Sequence, residues 1–261
     1  MHDHDGRAMR GLARVTGKDA YAGRMVSQMN QRAAKVSQQR ADLTVAKRYQ
    51  TGIWVDGASF LPRDFLLRLP AGTLPLSGDA ETGRRLRFPD REIGGTSRIA
   101  LTGANGLGKS TLIRHVLAHL QVSTDKCVSV PQEISSEASR DLLAEIKRLP
   151  NDERGRIMTT LSRLGSRPGR LLESALPSPG EVRKLLLALG IVRGPHLIVM
   201  DEPTNHMDLP SIRCLEDALA SCPCALLLVS HDEAFLEGIT TTTWQLTRDP
   251  NRGDSHLEIN G

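Results

Sequence analysis

The sequence predicts an α/β protein with a mostly parallel sheet, to which an antiparallel β region and a small helical subdomain are added. Three observations support this fold class. A glycine-rich loop follows an apolar strand pattern and opens a helix pattern; strand and helix patterns alternate after residue 180; and helix-forming residues dominate the stretch between these two parts. Alternating strands and helices are typical of parallel sheets, because parallel neighbours need a crossover connection that is usually a helix.

Length and composition exclude several classes of protein. The chain has 261 residues, enough to bury a core without support from disulfides or metals. No apolar run approaches the roughly 18 residues of a membrane-spanning helix, and the first residues lack the pattern of a secretory leader. The four cysteines have no zinc-finger spacing, so we interpret them as reduced thiols and expect a cytoplasmic protein without membrane insertion.

The first 50 residues differ from the rest in charge and in pattern. They contain ten Lys and Arg against four Asp and Glu. Residues 7–48 contain no proline and are broken only at Thr16-Gly17-Lys18-Asp19, which predicts a helical hairpin. Its heptad-spaced apolar positions fit a projecting arm and also an amphipathic helix packed on the body of the protein.

The middle of the chain predicts the added β region, the loop and the helical subdomain in that order. Apolar alternations punctuated by Gly and Pro over residues 51–95 predict antiparallel strands. Residues 98–101 predict a strand and residues 111–120 a helix, with the glycine-rich loop between them. Residues 135–176 are rich in helix formers and predict the helical subdomain.

The C-terminal part returns to alternating helices and strands. Residues 181–193 and 211–220 predict helices, and residues 196–200 and 225–229 predict buried strands. Two further apolar alternations predict closing strands, at residues 244–246 and 257–259.

The glycine-rich loop matches the phosphate-binding loop pattern G-x-x-x-x-G-K-[ST], and it lies between a strand and a helix as its mechanism requires. Glycines allow backbone N–H groups to turn toward phosphates, and the helix N-terminus adds partial positive charge. Lys109 would reach the β- and γ-phosphates, and the Ser110 hydroxyl would bind Mg²⁺. The predicted nucleotide contacts are Gly103, Ala104, Asn105, Gly106, Leu107, Gly108, Lys109, Ser110 and Thr111.

Two carboxylates end the apolar strand pattern at residues 197–200. Asp201 and Glu202 would lie at the carboxyl edge of the sheet, where parallel sheets bind nucleotides. Asp201 would hold Mg²⁺ through water, and Glu202 would orient and polarise the attacking water, since phosphoryl transfer depends chiefly on positioning and charge neutralisation.

The combination of motifs resembles the ATP-binding cassette (ABC) ATPases. The motifs are the phosphate loop, the string Asp201-Glu202-Pro203-Thr204-Asn205-His206-Met207-Asp208, and Ser230-His231-Asp232 after a further apolar strand. The resemblance implies an ABC-type phosphate-loop fold that binds ATP and Mg²⁺. It also implies that Gln132 senses Mg²⁺ and the attacking water, that His231 contacts the γ-phosphate, and that residues 205–208 contact a partner cassette.

A second resemblance concerns Ser178-Pro179-Gly180-Glu181, which is similar to the ABC signature sequence. In the family this sequence caps the γ-phosphate bound in the opposite cassette, which makes Ser178, Gly180 and Glu181 expected nucleotide contacts. Pro177 and Pro179 depart from the family pattern at the usual leucine and first glycine positions, which puts the efficiency of that cap in question.

Within the ABC proteins, the Pro-Thr-Asn-His-Met-Asp string and the signature look like the F subfamily, soluble twin-cassette proteins that act on ribosomes, some in antibiotic resistance. Residues 1–50 resemble the end of the linker between the cassettes, and residues 51–261 a nucleotide-binding domain with its helical subdomain at about 133–180. The resemblance implies a C-terminal half that needs a second cassette, from a missing N-terminal half or a second copy. Ribosome, rRNA or tRNA are the implied partners.

Two points stay open at the level of the sequence. The aromatic residue expected to stack on adenine could be Trp54, Phe60 or Phe65. The cassette could also be the nucleotide-binding subunit of an ABC transporter, or an ATP-binding module without turnover.

Overall fold

The computed structural model describes Trp54 and residues 65–76, 83–173, 177–250 and 253–260. The linker helices predicted for residues 1–50 lie outside the described residues, as does much of the β region predicted before residue 65. Within the described ranges, no helix is long and apolar enough to cross a membrane.

The described strands form one large sheet and one small one. Eight strands have the order β2-β3-β10-β9-β5-β8-β7-β6, while β1 and β4 form an antiparallel pair. Their bounds are β1 Leu67–Leu69, β2 Gly72–Pro75, β3 Arg85–Phe88, β4 Arg91–Ile93, β5 Arg98–Gly103, β6 Cys127–Val130, β7 Leu197–Asp201, β8 Ala225–Val229, β9 Thr242–Arg248 and β10 Ser255–Asn260.

The pairing directions determine where loops meet. Strands β9, β5, β8, β7 and β6 are parallel neighbours, whereas β2–β3 and β10–β9 pair antiparallel. The carboxyl ends of β5, β6, β7 and β8 therefore open at the same edge of the sheet. These four ends lead into the glycine-rich loop, Gln132, Glu202 and His231 respectively. The predicted mixture of a parallel sheet with antiparallel additions is confirmed.

Seven α-helices are described, together with a 3₁₀ turn at Thr124–Lys126. They are α1 Lys109–Ala118, α2 Ser136–Arg148, α3 Asn151–Arg163, α4 Pro168–Glu173, α5 Pro179–Val192, α6 Leu209–Ala220 and α7 Glu233–Glu237. Helices α2, α3 and α4 correspond to the predicted helical subdomain. Helices α5 and α6 each begin two residues before the predicted start, because Ser178 and Asp208 cap them and a proline occupies the first or second helical position.

The core occupies both faces of the sheet. Along β7, Ile198 and Met200 pack with α2, α3, α5 and α6, whereas Leu197 and Val199 pack with α1 on the opposite face. This alternation explains the uninterrupted apolar run in the sequence, because both faces of the strand are buried. Helix α5 lies directly on β6: a Cβ at Gly190 would be 2.1 Å from Val128 Cγ2.

An arginine binds several backbone carbonyls at the edge of the sheet opposite the glycine-rich loop. Arg98 begins β5, and its guanidinium donates to the carbonyls of Leu219 (3.0 Å), Ala220 (3.1 Å), Cys222 (2.6 Å) and Ile239 (3.2 Å). It thereby ties the end of α6 and the segment after α7 to the amino end of the central strand.

Candidate active site

The loop between β5 and α1 needs glycine at specific positions. Gly103, Gly106 and Gly108 have φ values of 133°, 79° and 101°, in the region that side chains rarely adopt. A Cβ at Gly103 would also lie 2.5 Å from the backbone oxygen of Leu246, and one at Gly108 would lie 2.5 Å from Leu76 Cδ2. Gly108 is the N-cap of α1, so loop N–H groups and the helix N-terminus together favour an anion at this place.

Lys109 lies over this loop. Its Nζ donates to Gly103 O (2.6 Å), and it is 3.4 Å from Asn105 Oδ1 and 3.3 Å from His231 Nε2. Burial lowers the pKa of Lys109, and the charges of Glu202 and Asp201 oppose that decrease. The ammonium is therefore partly desolvated and faces two carboxylates, an environment in which a phosphate group would be a strong additional partner.

Asp201 ends β7 beside the start of α1. Burial raises the pKa of its carboxyl, while the Lys109 and Arg183 charges and a hydrogen bond from Ser110 oppose the increase. Carboxylate, hydroxyl and amide oxygens are ligands that suit Mg²⁺, which usually binds few protein groups and keeps waters and phosphate oxygens. Asp201, Ser110 and the nearby Gln132 amide fit that preference.

Glu202 follows at a strained position. Its φ is 50°, its backbone N–H donates to Val229 O at 2.8 Å, and the residue is 8% exposed. Its Oε1 accepts no hydrogen bond from the described residues, and His231 Nε2 lies 3.5 Å from it. A buried acceptor without a donor costs about 1–3 kcal/mol, so this oxygen is suited to accept a hydrogen bond from a bound water or substrate.

These groups line one cavity of about 610 Å³. It brings together most of the predicted contacts, namely Asn105, Gly106, Gly108, Lys109, Ser110, Thr111, Gln132, Asp201, Glu202 and His231. Gly103, Ala104 and Leu107 do not line it: Leu107 is buried in the core, whereas the carbonyls of Gly103 and Ala104 face Lys109 Nζ.

Two further lining residues, Leu76 and Arg114, are not identified from the sequence. Asn205, which the family resemblance assigns to a contact with a partner cassette, also lines this cavity. Leu76 follows β2 and is 7% exposed. It lies in a Gly- and Pro-rich stretch of the sequence, where no hydrophobic periodicity indicates which residues it contacts in the folded protein. Arg114 was detectable in principle, because it lies on the first turns of α1, four residues after Ser110 and on the same face.

The aromatic candidates for stacking on a base lie elsewhere or outside the described residues. Trp54 Nε1 donates to Ala218 O in α6 (2.9 Å), and Phe65 is 44% exposed with Arg68 over its ring. Phe60 is not among the described residues. In the described lining of the cavity there is no Trp, Tyr or Phe, and Leu76 supplies the apolar surface.

The signature-like residues line a second cavity, of about 250 Å³. Ser178 caps α5 by accepting from Glu181 N (3.3 Å), and Gly180 is pressed against the loop after β7, where a Cβ would lie 2.9 Å from His206 O. The two cavities share none of their described lining residues. Residues 205–208 connect them, since Asn205 lines the first and the next three residues line the second.

Comparison with known proteins finds similar sequences among ATP-binding proteins. The model of the family described as ABC transporter matches residues 90–205, which include the phosphate loop and both carboxylates but not His231. ATP-binding protein Uup of Caulobacter vibrioides is 36% identical over 153 residues, which make up 55% of this chain and 24% of that protein. Erythromycin resistance ATP-binding protein MsrA of Staphylococcus epidermidis is 29% identical over 154 residues, or 57% of this chain and 32% of that protein.

The matched segment therefore spans about a quarter to a third of these curated relatives. Among solved structures, one titled RNase-L Inhibitor superposes with a TM-score of 0.57 at 19% identity, covering 80% of this chain and 42% of that chain. At this identity the superposition establishes the fold.

Proposed function

We propose that this chain is an ABC-type ATP-binding cassette related to the ABC-F proteins, which binds ATP with Mg²⁺ and hydrolyses it at a site that a second cassette completes. The observation that carries this proposal is the convergence of Lys109, Asp201, Glu202 and His231 in one cavity above the glycine-rich loop.

In the proposed reaction, loop N–H groups and Lys109 bind the β- and γ-phosphates. Ser110, Asp201 and Gln132 would hold Mg²⁺, which neutralises charge that develops on the phosphate oxygens. The unpaired Oε1 of Glu202 accepts a hydrogen bond from a water and directs its oxygen at the γ-phosphorus. A bond forms between the water oxygen and the γ-phosphorus as the bond from the γ-phosphorus to the β–γ bridging oxygen breaks, which gives ADP and phosphate. The proton of the water passes to Glu202 or to the phosphate.

In this proposal, His231 links the phosphate-binding groups to Glu202. Its Nε2 is within 3.5 Å of Lys109 Nζ, Asn105 Oδ1 and Glu202 Oε1. A single imidazole can therefore contact the phosphate-binding side and the water-activating side of the cavity, and it would donate to a γ-phosphate oxygen.

The proposed need for a second cassette rests on the signature-like residues. Ser178, Gly180 and Glu181 line a cavity other than the one with Lys109, so they are available to a nucleotide bound by another cassette. Pro179 has no N–H to offer at the first position of α5, and Ser178 Oγ already accepts from Glu181 N. Both features leave fewer donors for the γ-phosphate of a nucleotide bound by another cassette.

ATP turnover as a function of protein concentration tests the proposal. A rate that rises faster than linearly with concentration supports a site completed by a second copy. A rate that is linear in concentration, and is lost in Glu202→Gln, would show that one cassette suffices. ATP binding without turnover would favour a binding module or a cassette that needs a different partner. Glu202→Gln should retain ATP binding and Lys109→Ala should lose it, which separates this protein's activity from a contaminant.

For the whole protein we propose an ABC-F type role on the ribosome, in translation or in antibiotic resistance. Relatedness to Uup and to an erythromycin resistance protein supports it, as does the positive charge of residues 1–50, which suits a phosphate backbone. Co-sedimentation with ribosomes in the presence of a nonhydrolysable ATP analogue tests this role. Absence of co-sedimentation, together with co-purification of a membrane subunit, would favour the transporter alternative instead.

A further inference from the structure

Helix α5 carries a buried cation that is not among the predicted nucleotide and Mg²⁺ contacts. Arg183 is 2% exposed and belongs to the largest fully buried side chains. A guanidinium keeps its charge and carries five donors, and burying it is costly unless those donors are paired. Its partners therefore indicate which parts of the structure it holds.

The partners of Arg183 are backbone carbonyls of residues that line the active-site cavity. The guanidinium donates to Gln132 O and to Asn205 O (2.6 Å), with a longer contact to Glu202 O at 3.5 Å. These three residues follow β6 and β7, two separate strands, and each lines the same cavity. Arg183 itself does not line the cavity, so it acts on these residues from behind.

The charge of Arg183 is balanced by acids of the same region. Burial lowers its pKa, and Asp201, Glu133 and Glu202 oppose that decrease. Arginine stays protonated despite such a decrease because its ordinary pKa is so high. The permanent charge of Arg183 thus holds the Glu202 backbone through its carbonyl and partly balances the negative charges of the Asp201 and Glu202 carboxylates.

We propose that Arg183 is a positioning residue for ATP hydrolysis, which holds the backbone of Gln132, Glu202 and Asn205 so that the Gln132 amide and the Glu202 carboxylate converge on the terminal phosphate and its Mg²⁺. The inference rests on the proposed ATPase function. It predicts that loss of Arg183 impairs turnover and Mg²⁺ use far more than nucleotide binding, because the phosphate loop and Lys109 make no contact with Arg183 that the structure records among its hydrogen bonds.

Arg183→Met tests the proposal, and Arg98→Met is the matched control. Both substitutions remove a guanidinium that clamps backbone carbonyls, but Arg98 does so at the opposite edge of the sheet. The full chain is compared at a temperature where thermal scans show every variant to be folded. Arg183→Met should lower kcat at least tenfold and change the affinity for Mg²⁺-free ATP less than threefold. Arg98→Met should keep kcat within twofold of the unsubstituted protein.

Arg183→Lys provides the conservative variant, because it retains the charge but cannot span carbonyls on two loops with a single nitrogen. It should recover part of the lost kcat and remain below the unsubstituted protein. If Arg183→Met is not folded, the test is the kcat of Arg183→Lys, which should be lower than the kcat of Arg98→Met.

A second measurement separates this inference from the proposed function. If the unsubstituted protein shows no turnover that Glu202→Gln abolishes, the ATPase proposal fails. The role of Arg183 is then tested by the Mg²⁺ concentration that gives half-maximal nucleotide binding. This concentration should rise severalfold in Arg183→Met and stay unchanged in Arg98→Met. Equal Mg²⁺ dependence in both variants, or equal kcat where turnover exists, would overturn the positioning role.

Discussion

Replacement of Gly108 by alanine tests how the glycine-rich loop is held against the β region. Gly108 has a φ of 101°, and a Cβ there would lie 2.5 Å from Leu76 Cδ2 and 3.3 Å from Leu86 Cδ2. Two costs follow. A side chain in this backbone region costs about 1–2 kcal/mol, and forcing a methyl group into a packed contact costs about 1–3 kcal/mol more. We expect Gly108→Ala to lower the free energy of unfolding by about 2–5 kcal/mol.

Gly106 provides the control for backbone strain alone. Its φ is 79°, but a Cβ there would meet no atom within 4 Å. Gly106→Ala should therefore cost only about 1–2 kcal/mol, the usual penalty for a left-handed residue. The contrast between the two alanine variants isolates the contact with Leu76.

Urea unfolding without nucleotide provides the assay, and a double-mutant cycle with Leu76→Ala identifies the contact. Removing the Leu76 side chain should relieve the overpacking, so the cost of Gly108→Ala should be about 1–3 kcal/mol smaller in the Leu76→Ala background. Equal losses for the two glycine variants, with an additive cycle to within about 0.5 kcal/mol, would refute the contact and with it the placement of Leu76 against the loop.

Three further outcomes are expected. Burial lowers the pKa of Lys109, so its proton leaves the folded protein at a lower pH than the unfolded chain. ATP affinity in fluorescence titrations should therefore decline in alkaline solution at a lower pH than the ordinary lysine pKa requires, and Lys109→Arg should give a flatter profile. A hydrogen bond with Ser211 lowers the pKa of Asp208, so Asp208 stabilises α6 above its unfolded-state pKa and this stabilisation is lost as pH falls through the folded value. Asp208→Ala should then cost about 0.5–2 kcal/mol near neutrality and little in acid, as urea unfolding at both pH values would show, whereas a loss that does not depend on pH would argue against the cap. Burial raises the pKa of Cys127 to about 11, so its reaction with a disulfide reagent near neutral pH should be many times slower in the folded protein than in urea, and equal rates would contradict its placement.

The parts of the site that sequence could predict are those encoded over short distances. The loop at Gly103–Ser110 combines contiguous residues with a strand before and a helix after, and both flanking elements are confirmed. The acids Asp201 and Glu202 follow an apolar run whose burial on both faces is evident from composition. The linker assignment for residues 1–50 and the roles of the individual site residues remain predictions.

The parts that sequence could not predict depend on contacts between distant residues. Leu76 reaches the cavity because β2 pairs with β3 and brings its end next to Gly108, which no local pattern encodes. Arg183 stands in a helix pattern beside Lys184, where a pair of cations normally indicates a solvated face. Its burial arises from the loops after β6 and β7 closing over it.

The neighbours of β5 also determine the order in which the protein can fold during its synthesis. Ile99 pairs with Leu227 on one side and with Thr242 on the other, so the central strand gains both partners only after residue 242 has been made. Until then its edges are open to other chains, and such long-range pairing is intrinsically slow. The glycine-rich loop is thus synthesised well before the carboxylates and the histidine that face it, and nucleotide can act as a folding ligand only after His231 has been made.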